Sequence, residues 1–117
     1  NTLAALYRDI ERYPSMHNAL LVAVEEYLHP TQTIVLRGNA EALPAWQARC
    51  TQYYAPRRLT LTIPEDAKEL PGILAQRTAK AGVTAYVCSG HACEAPVASL
   101  DALEAVLSGS EAVRIRE

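Results

Sequence analysis

Cys88, His91 and Cys93 place two thiols and an imidazole within six consecutive residues. Two thiols separated by four residues can act as a redox pair if the backbone brings their sulfurs within bonding reach. With the imidazole they could instead form part of a zinc site, because zinc favours sulfur and imidazole nitrogen. They could equally be a structural clip, either as a disulfide or as two reduced thiols lining the core. The efficient oxidoreductase arrangement, Cys-x-x-Cys at a helix start where one thiol pKa falls, is absent. A closed zinc site needs a fourth ligand, and Cys50, His17 and His29 lie far away in sequence. A cysteine-phosphatase loop needs an arginine six residues past the nucleophile. That position is Glu94, whose carboxylate would repel the substrate. The expectation is a structural clip, with no metal, no cofactor and no catalytic residue assigned.

The elements that must position these residues follow from hydrophobic periodicity. Leu3, Leu6, Tyr7, Ile10 and Tyr13 form a helical stripe that Pro14 stops. Ser15 is placed to cap a second helix with Met16, Ala19, Leu20, Ala23, Val24, Tyr27 and Leu28 on one face, ending at His29-Pro30. Residues 1–30 therefore read as an αα-hairpin. Thr33 to Leu36 is a strand closed by Gly38-Asn39, and a helix from about residue 43 to Tyr54 carries Leu43, Trp46, Cys50 and Tyr53. Leu59, Leu61 and Ile63 alternate with threonines in a second strand ended by Pro64. A weaker helix over Ala67–Ala79 is broken or shortened by Pro71-Gly72. Gly82 opens a third strand, Val83 to Cys88. Ser99 caps a last helix with Leu100, Leu103, Val106 and Leu107, and Gly109 suits its end. Residues 31–109 thus form one small α/β domain, and residues 110–117 are an edge strand or a tail.

Strands alternating with helices predict a three-stranded parallel sheet, first strand central, with flanking helices on both faces. In such a sheet Gly38-Asn39, Pro64 and Cys88 share the carboxyl edge, where open α/β sheets place ligands. A ligand site is expected to gather Arg37, Gly38 and Asn39 with Cys88, His91 and Cys93.

Composition excludes several classes. The chain has 117 residues, half of them apolar, and a formal charge of −2, which gives no footprint for nucleic acid. Arg57-Arg58 reads as a solvated strand entrance. No apolar run reaches the roughly 18 residues a membrane helix needs, and no secretory signal is visible. Three cysteines are too few for a disulfide scaffold, so a cytoplasmic setting with reduced thiols is expected. The first residue is Asn1, which reads as a fragment or a processed chain. Gly-rich phosphate loops, a Gly-x-Ser-x-Gly elbow and His-Glu-x-x-His are all missing.

Thr84-Ala85-Tyr86-Val87-Cys88, then Cys93, then Pro96-Val97 and a capped leucine helix resembles the C-terminal end of a known family. These are thioredoxin-domain-containing proteins related to spermatogenesis-associated protein 20 and its bacterial counterparts. The upstream order, with Ile34-Val35-Leu36-Arg37-Gly38, is also similar, though only Cys-x4-Cys-x-x-Pro is specific. The resemblance implies an N-terminal thioredoxin-like domain and a central helical barrel upstream, with residues 1–30 as the last hairpin of that barrel. The family's thioredoxin-type cysteine pair belongs to that upstream domain and is not Cys88 and Cys93. His91 is not part of the family pattern. The resulting expectation is a non-catalytic C-terminal accessory domain packed intramolecularly on the barrel, with Cys88, Cys93 and Pro96 fixing a loop. The alternatives are a thiol redox or zinc module using Cys88 and Cys93, or a small-ligand pocket at the strand edge.

Overall fold

The computed structural model describes residues 2–109 and 113–114. The chain divides at Thr31 into two compact units. The first holds helices α1 (Thr2–Arg12) and α2 (Asn18–Leu28), joined through a 3-10 turn at Pro14–Met16. Ser15 sits inside that turn, so it caps nothing; His17 precedes α2 without a side-chain cap bond. Ile10 is the buried residue of α1, whereas α2 has no buried residue. On the expected stripe Leu20, Ala23 and Val24 are half-buried, while Met16, Tyr27 and Leu28 are 77%, 67% and 64% exposed.

The second unit contains β1 (Gln32–Gly38), α3 (Leu43–Thr51), β2 (Tyr53–Tyr54), β3 (Arg58–Pro64), β4 (Thr84–Ser89), β5 (Ala92–Cys93), α4 (Leu100–Ser108) and β6 (Val113–Arg114). Its main sheet, in the order β3-β1-β4-β5 among the described residues, is mixed. β1 and β3 are parallel, with α3 as their crossover, and β1 is interior as expected. β4 runs antiparallel to β1, with Thr33 opposite Cys88 and Arg37 opposite Thr84. The three parallel strands of the sequence reading are therefore corrected to one parallel pair and an antiparallel neighbour.

The cause lies in the link from Glu65 to Val83. Where a crossover helix was expected, Pro71 and Gly72 leave only a 3-10 helix, Gly72–Gln76. Positive φ at Glu69 (58°), Ala81 (44°) and Gly82 (101°) breaks the helical path on both sides of it. Without a long helix to carry the chain back along the sheet, β4 starts at the edge where β3 ends. Thr84 secures that start: its hydroxyl accepts from Lys80 N at 2.9 Å and donates to Lys80 O at 3.4 Å.

The main hydrophobic cluster lies on one face of the sheet, while Val35, Arg37, Thr84 and Tyr86 are buried on the other. Ile34, Leu36, Val83, Ala85 and Val87 of the sheet meet Leu43, Trp46 and Cys50 of α3, Tyr53, and Leu103 and Leu107 of α4. Each fully buried Ile, Leu or Val among them contributes about 1.5–3 kcal/mol. Both helices thus cover the same face, a second correction to the expected helices on both. Ser99 caps α4 as read, its Oγ accepting from Ala102 N at 3.2 Å. α3 ends at Thr51, and Tyr53-Tyr54 pairs antiparallel with Val113-Arg114 in a separate two-stranded sheet. Of residues 110–117, read as an edge strand or a tail, Val113-Arg114 pairs apart from the main sheet, and the rest lies outside the described residues.

Candidate functional site

The antiparallel β4 separates the residues that were expected to converge. Arg37, Gly38 and Asn39 lie at the carboxyl end of β1, whereas Cys88 pairs with Thr33 near its start. Four residues of strand, about 13 Å, stand between Arg37 and the cysteine hairpin. The predicted joint ligand site is not formed.

Each member of the β1 end has a structural task. Arg37 is buried, and its Nη1 donates to Pro64 O at 2.7 Å, tying the ends of β1 and β3 together. Its Nε is buried without a partner among the described residues. Gly38 allows a close approach: a Cβ there would lie 2.7 Å from Val83 Cγ2 and 2.9 Å from Val83 Cα. Its carbonyl accepts from Glu65 N at 2.7 Å. Asn39 Oδ1 accepts from Ala42 N at 2.7 Å and so shapes the turn leading to α3.

The cysteine segment is a β-hairpin. Ser89 pairs with Ala92 across Gly90-His91, and Gly90 takes φ 61° at the first turn position, where a two-residue hairpin favours glycine. Cys88 and Cys93 are the next pair, flanked by the Glu94 N to Val87 O bond at 2.9 Å. They therefore occupy a non-hydrogen-bonded position, where Cα atoms approach most closely, and theirs are 4.0 Å apart. The two sulfurs are joined as a disulfide. Beyond it, Val97 pairs with Ala85 rather than with Thr84. One extra residue is accommodated around Ala95-Pro96, so the strand bulges where proline has no N–H to donate. The Cys-x4-Cys-x-x-Pro spacing is thus a stapled, bulged edge.

His91 occupies the exposed hairpin turn. Among the described residues no three metal-ligating side chains come together, and Cys88 and Cys93 are bonded to each other. His17 and His29 flank α2, in the first unit, and Cys50 is a separate buried thiol. Burial pushes the Cys50 pKa up, only partly opposed by nearby Arg58 and a hydrogen bond with Thr60. Burial also lowers the Arg58 pKa. Arg58 is not the solvated strand entrance of the sequence reading, because its Nε donates to Gln32 Oε1 at 2.7 Å and pins β3 to β1.

Sequence reasoning missed Arg77. Its Nη2 lies 3.2 Å from Cys93 Sγ and 3.7 Å from Cys88 Sγ, and its guanidinium carbon sits 5.0 Å from the Tyr86 ring centroid. No sequence spacing signals this meeting, because it depends on the irregular link folding over β4. Also unforeseen is the group joining α3, β2 and α4, in which Glu104 accepts from Arg49 Nη1 at 3.2 Å and from the Tyr53 hydroxyl. An open recess of about 370 Å³ lined by Gln32, Glu94, Ala105, Val106 and Gly109 contains none of the expected site residues. No helix among the described residues is long and apolar enough to cross a membrane.

No family model, curated protein or solved structure matches this chain.

Proposed function

We propose that this chain is a non-catalytic accessory domain at the C-terminal end of a larger thioredoxin-domain-containing protein. In this reading α1 and α2 pack as a helical hairpin against a preceding helical barrel of the same polypeptide. The observation that carries it is the exposure of Tyr7, Val22, Tyr27 and Leu28 on those two helices and of Met16 in the turn between them, while the second unit has a buried core of its own. Apolar side chains at that density call for a covering surface. Supporting it, Arg37, Gly38 and Asn39 are each engaged in holding the fold. The resemblance of the Cys-x4-Cys-x-x-Pro segment and its flanks supports the choice of neighbour.

Hydrogen exchange tests this reading. In the chain extended by its natural upstream helical domain, amides of α1 and α2 are expected to exchange at least tenfold more slowly than in the chain alone. Unchanged exchange would remove the proposal.

The same proposal places the chain in the cytoplasm, where the Cys88–Cys93 bond would face a reducing thiol pool. A second reading, a thiol redox module, has one observation in its favour: the Arg77 guanidinium beside both sulfurs.

A further inference from the structure

Arg77 does little for a disulfide. Bonded sulfur is neutral and a weak acceptor, whereas a thiolate at the same place would carry a full negative charge. The guanidinium is nevertheless placed there by Tyr86: its central carbon lies over that ring, 5.0 Å from the centroid, and Tyr86 is buried with its hydroxyl donating to Thr78 O, next to Arg77 in the chain. The guanidinium is within 3.2 Å of Cys93 Sγ and 3.7 Å of Cys88 Sγ. Cys93 is exposed while Cys88 is half-buried, so the more open sulfur meets a reductant first and the sheltered one leaves with the cation still in reach.

We propose that Cys88, Cys93 and Arg77 form a thiol–disulfide exchange site that takes a dithiol reductant as co-substrate. This deepens the thiol reading and goes beyond the accessory-domain reading, whose exchange test on α1 and α2 stands or fails separately. A thiolate of the dithiol attacks Cys93 Sγ. A new S–S bond forms as the Cys88–Cys93 bond breaks, and the electron pair leaves on Cys88 Sγ as a thiolate facing Arg77. The second thiol of the reductant loses its proton and attacks the reductant sulfur bonded to Cys93. That closes the reductant's own disulfide and releases Cys93 as a thiolate. Two electrons pass in all from the dithiol to the cysteine pair, and the proton that the second thiol gives up to solvent is available to the released Cys93 thiolate. Arg77 acts by stabilising the Cys88 leaving group, which a lower thiol pKa makes faster.

Dithiothreitol is the probe, with the full chain under native conditions, Trp46 fluorescence reporting an intact core and intact mass counting alkylated thiols. Reduction is expected to be complete without denaturant. The pH dependence of iodoacetamide alkylation of the reduced pair is expected to show a half-point below the ordinary thiol value of about 8.5. Arg77→Gln should raise that half-point by about 0.7–1 pH unit, the five- to tenfold worth of two unit charges at 3–4 Å in water. It should also slow reduction severalfold, and Arg77→Lys should restore much of both. With glutathione disulfide, Cys88→Ser should form a mixed disulfide at Cys93 faster than Cys93→Ser does at Cys88. A wild-type half-point at or above the ordinary value overturns the proposal without any variant. So does an Arg77→Gln chain with an unchanged profile, or a disulfide that yields only after unfolding.

Discussion

Replacing Gly38 by alanine separates a ligand-edge role from a packing role for the end of β1. Gly38 does not have a positive φ, so alanine meets no backbone penalty there. Where the site has room, such a change stabilises by about 0.4–1 kcal/mol through the unfolded chain. Here the added methyl would stand 2.7 Å from Val83 Cγ2, 2.9 Å from Val83 Cα and 3.1 Å from Gly82 O. Two of these atoms are backbone, and Val83 is only 5% exposed within the core, so little can give way. Overpacking of this kind costs about 1–3 kcal/mol. The net expectation is a loss of about 1–2 kcal/mol, or roughly 5–15 °C in Tm for a domain of this size. Trp46 is the sole tryptophan and belongs to the same core cluster as Val83, so its fluorescence during urea unfolding reports this unit. Val83→Ala removes the nearest offending atom. The double variant should therefore be more stable than the sum of the single losses predicts, by about 0.5–1 kcal/mol. A Gly38→Ala chain as stable as the parent, or additive single effects, would refute the close-approach reasoning.

Other perturbations address the remaining parts of the fold. Arg37→Ala should lower unfolding free energy by about 2–4 kcal/mol, since it removes a buried stem and the Pro64 carbonyl bond, as urea titration would measure. Replacing Cys88 and Cys93 together by alanine should cost about 2 kcal/mol, because the sulfurs close a short loop with a sequence separation of 5; circular dichroism should still show the folded spectrum. The raised Cys50 pKa has a definite sign: the folded state holds its proton above the ordinary thiol value, where the unfolded chain loses it. Stability should be fully present below that value and fall as pH rises past it, and Cys50→Ala should flatten the fall in alkaline urea titrations. Glu104→Leu should cost more than Arg49→Ala, because the Tyr53 hydroxyl also loses its acceptor, while the Arg49 pair is about a third exposed and contributes under about 1 kcal/mol.

Much of the element order was legible because it depends on short-range pattern. The apolar spacing of Leu43, Trp46 and Cys50 can only be buried on one helical face, and all three are buried. Ser99 followed by the leucine helix shows its cap from local hydrogen-bonding chemistry alone. The strands of Ile34, Leu61 and Val87 were also readable, since β-branched and apolar runs bounded by Gly and Pro leave few alternatives. α2 was readable as a helix, but the burial of its stripe was not, because periodicity states which face is apolar and not what covers it.

Residue types at positions 33–36, 59–63 and 83–88 determined by themselves that three strands would form and which side chains would seek the core. The direction of β4 was decided only in three dimensions. A strand has the same alternation read from either end, and both ladder types satisfy its backbone groups. Direction followed from the path of residues 65–83, where a proline, glycines and left-handed residues replaced a crossover helix. That one choice carried Cys88 to the opposite edge from Arg37 and laid Arg77 over the sulfurs. Contacts between residues far apart in the chain depend on how the intervening backbone turns, and no local spacing encodes that.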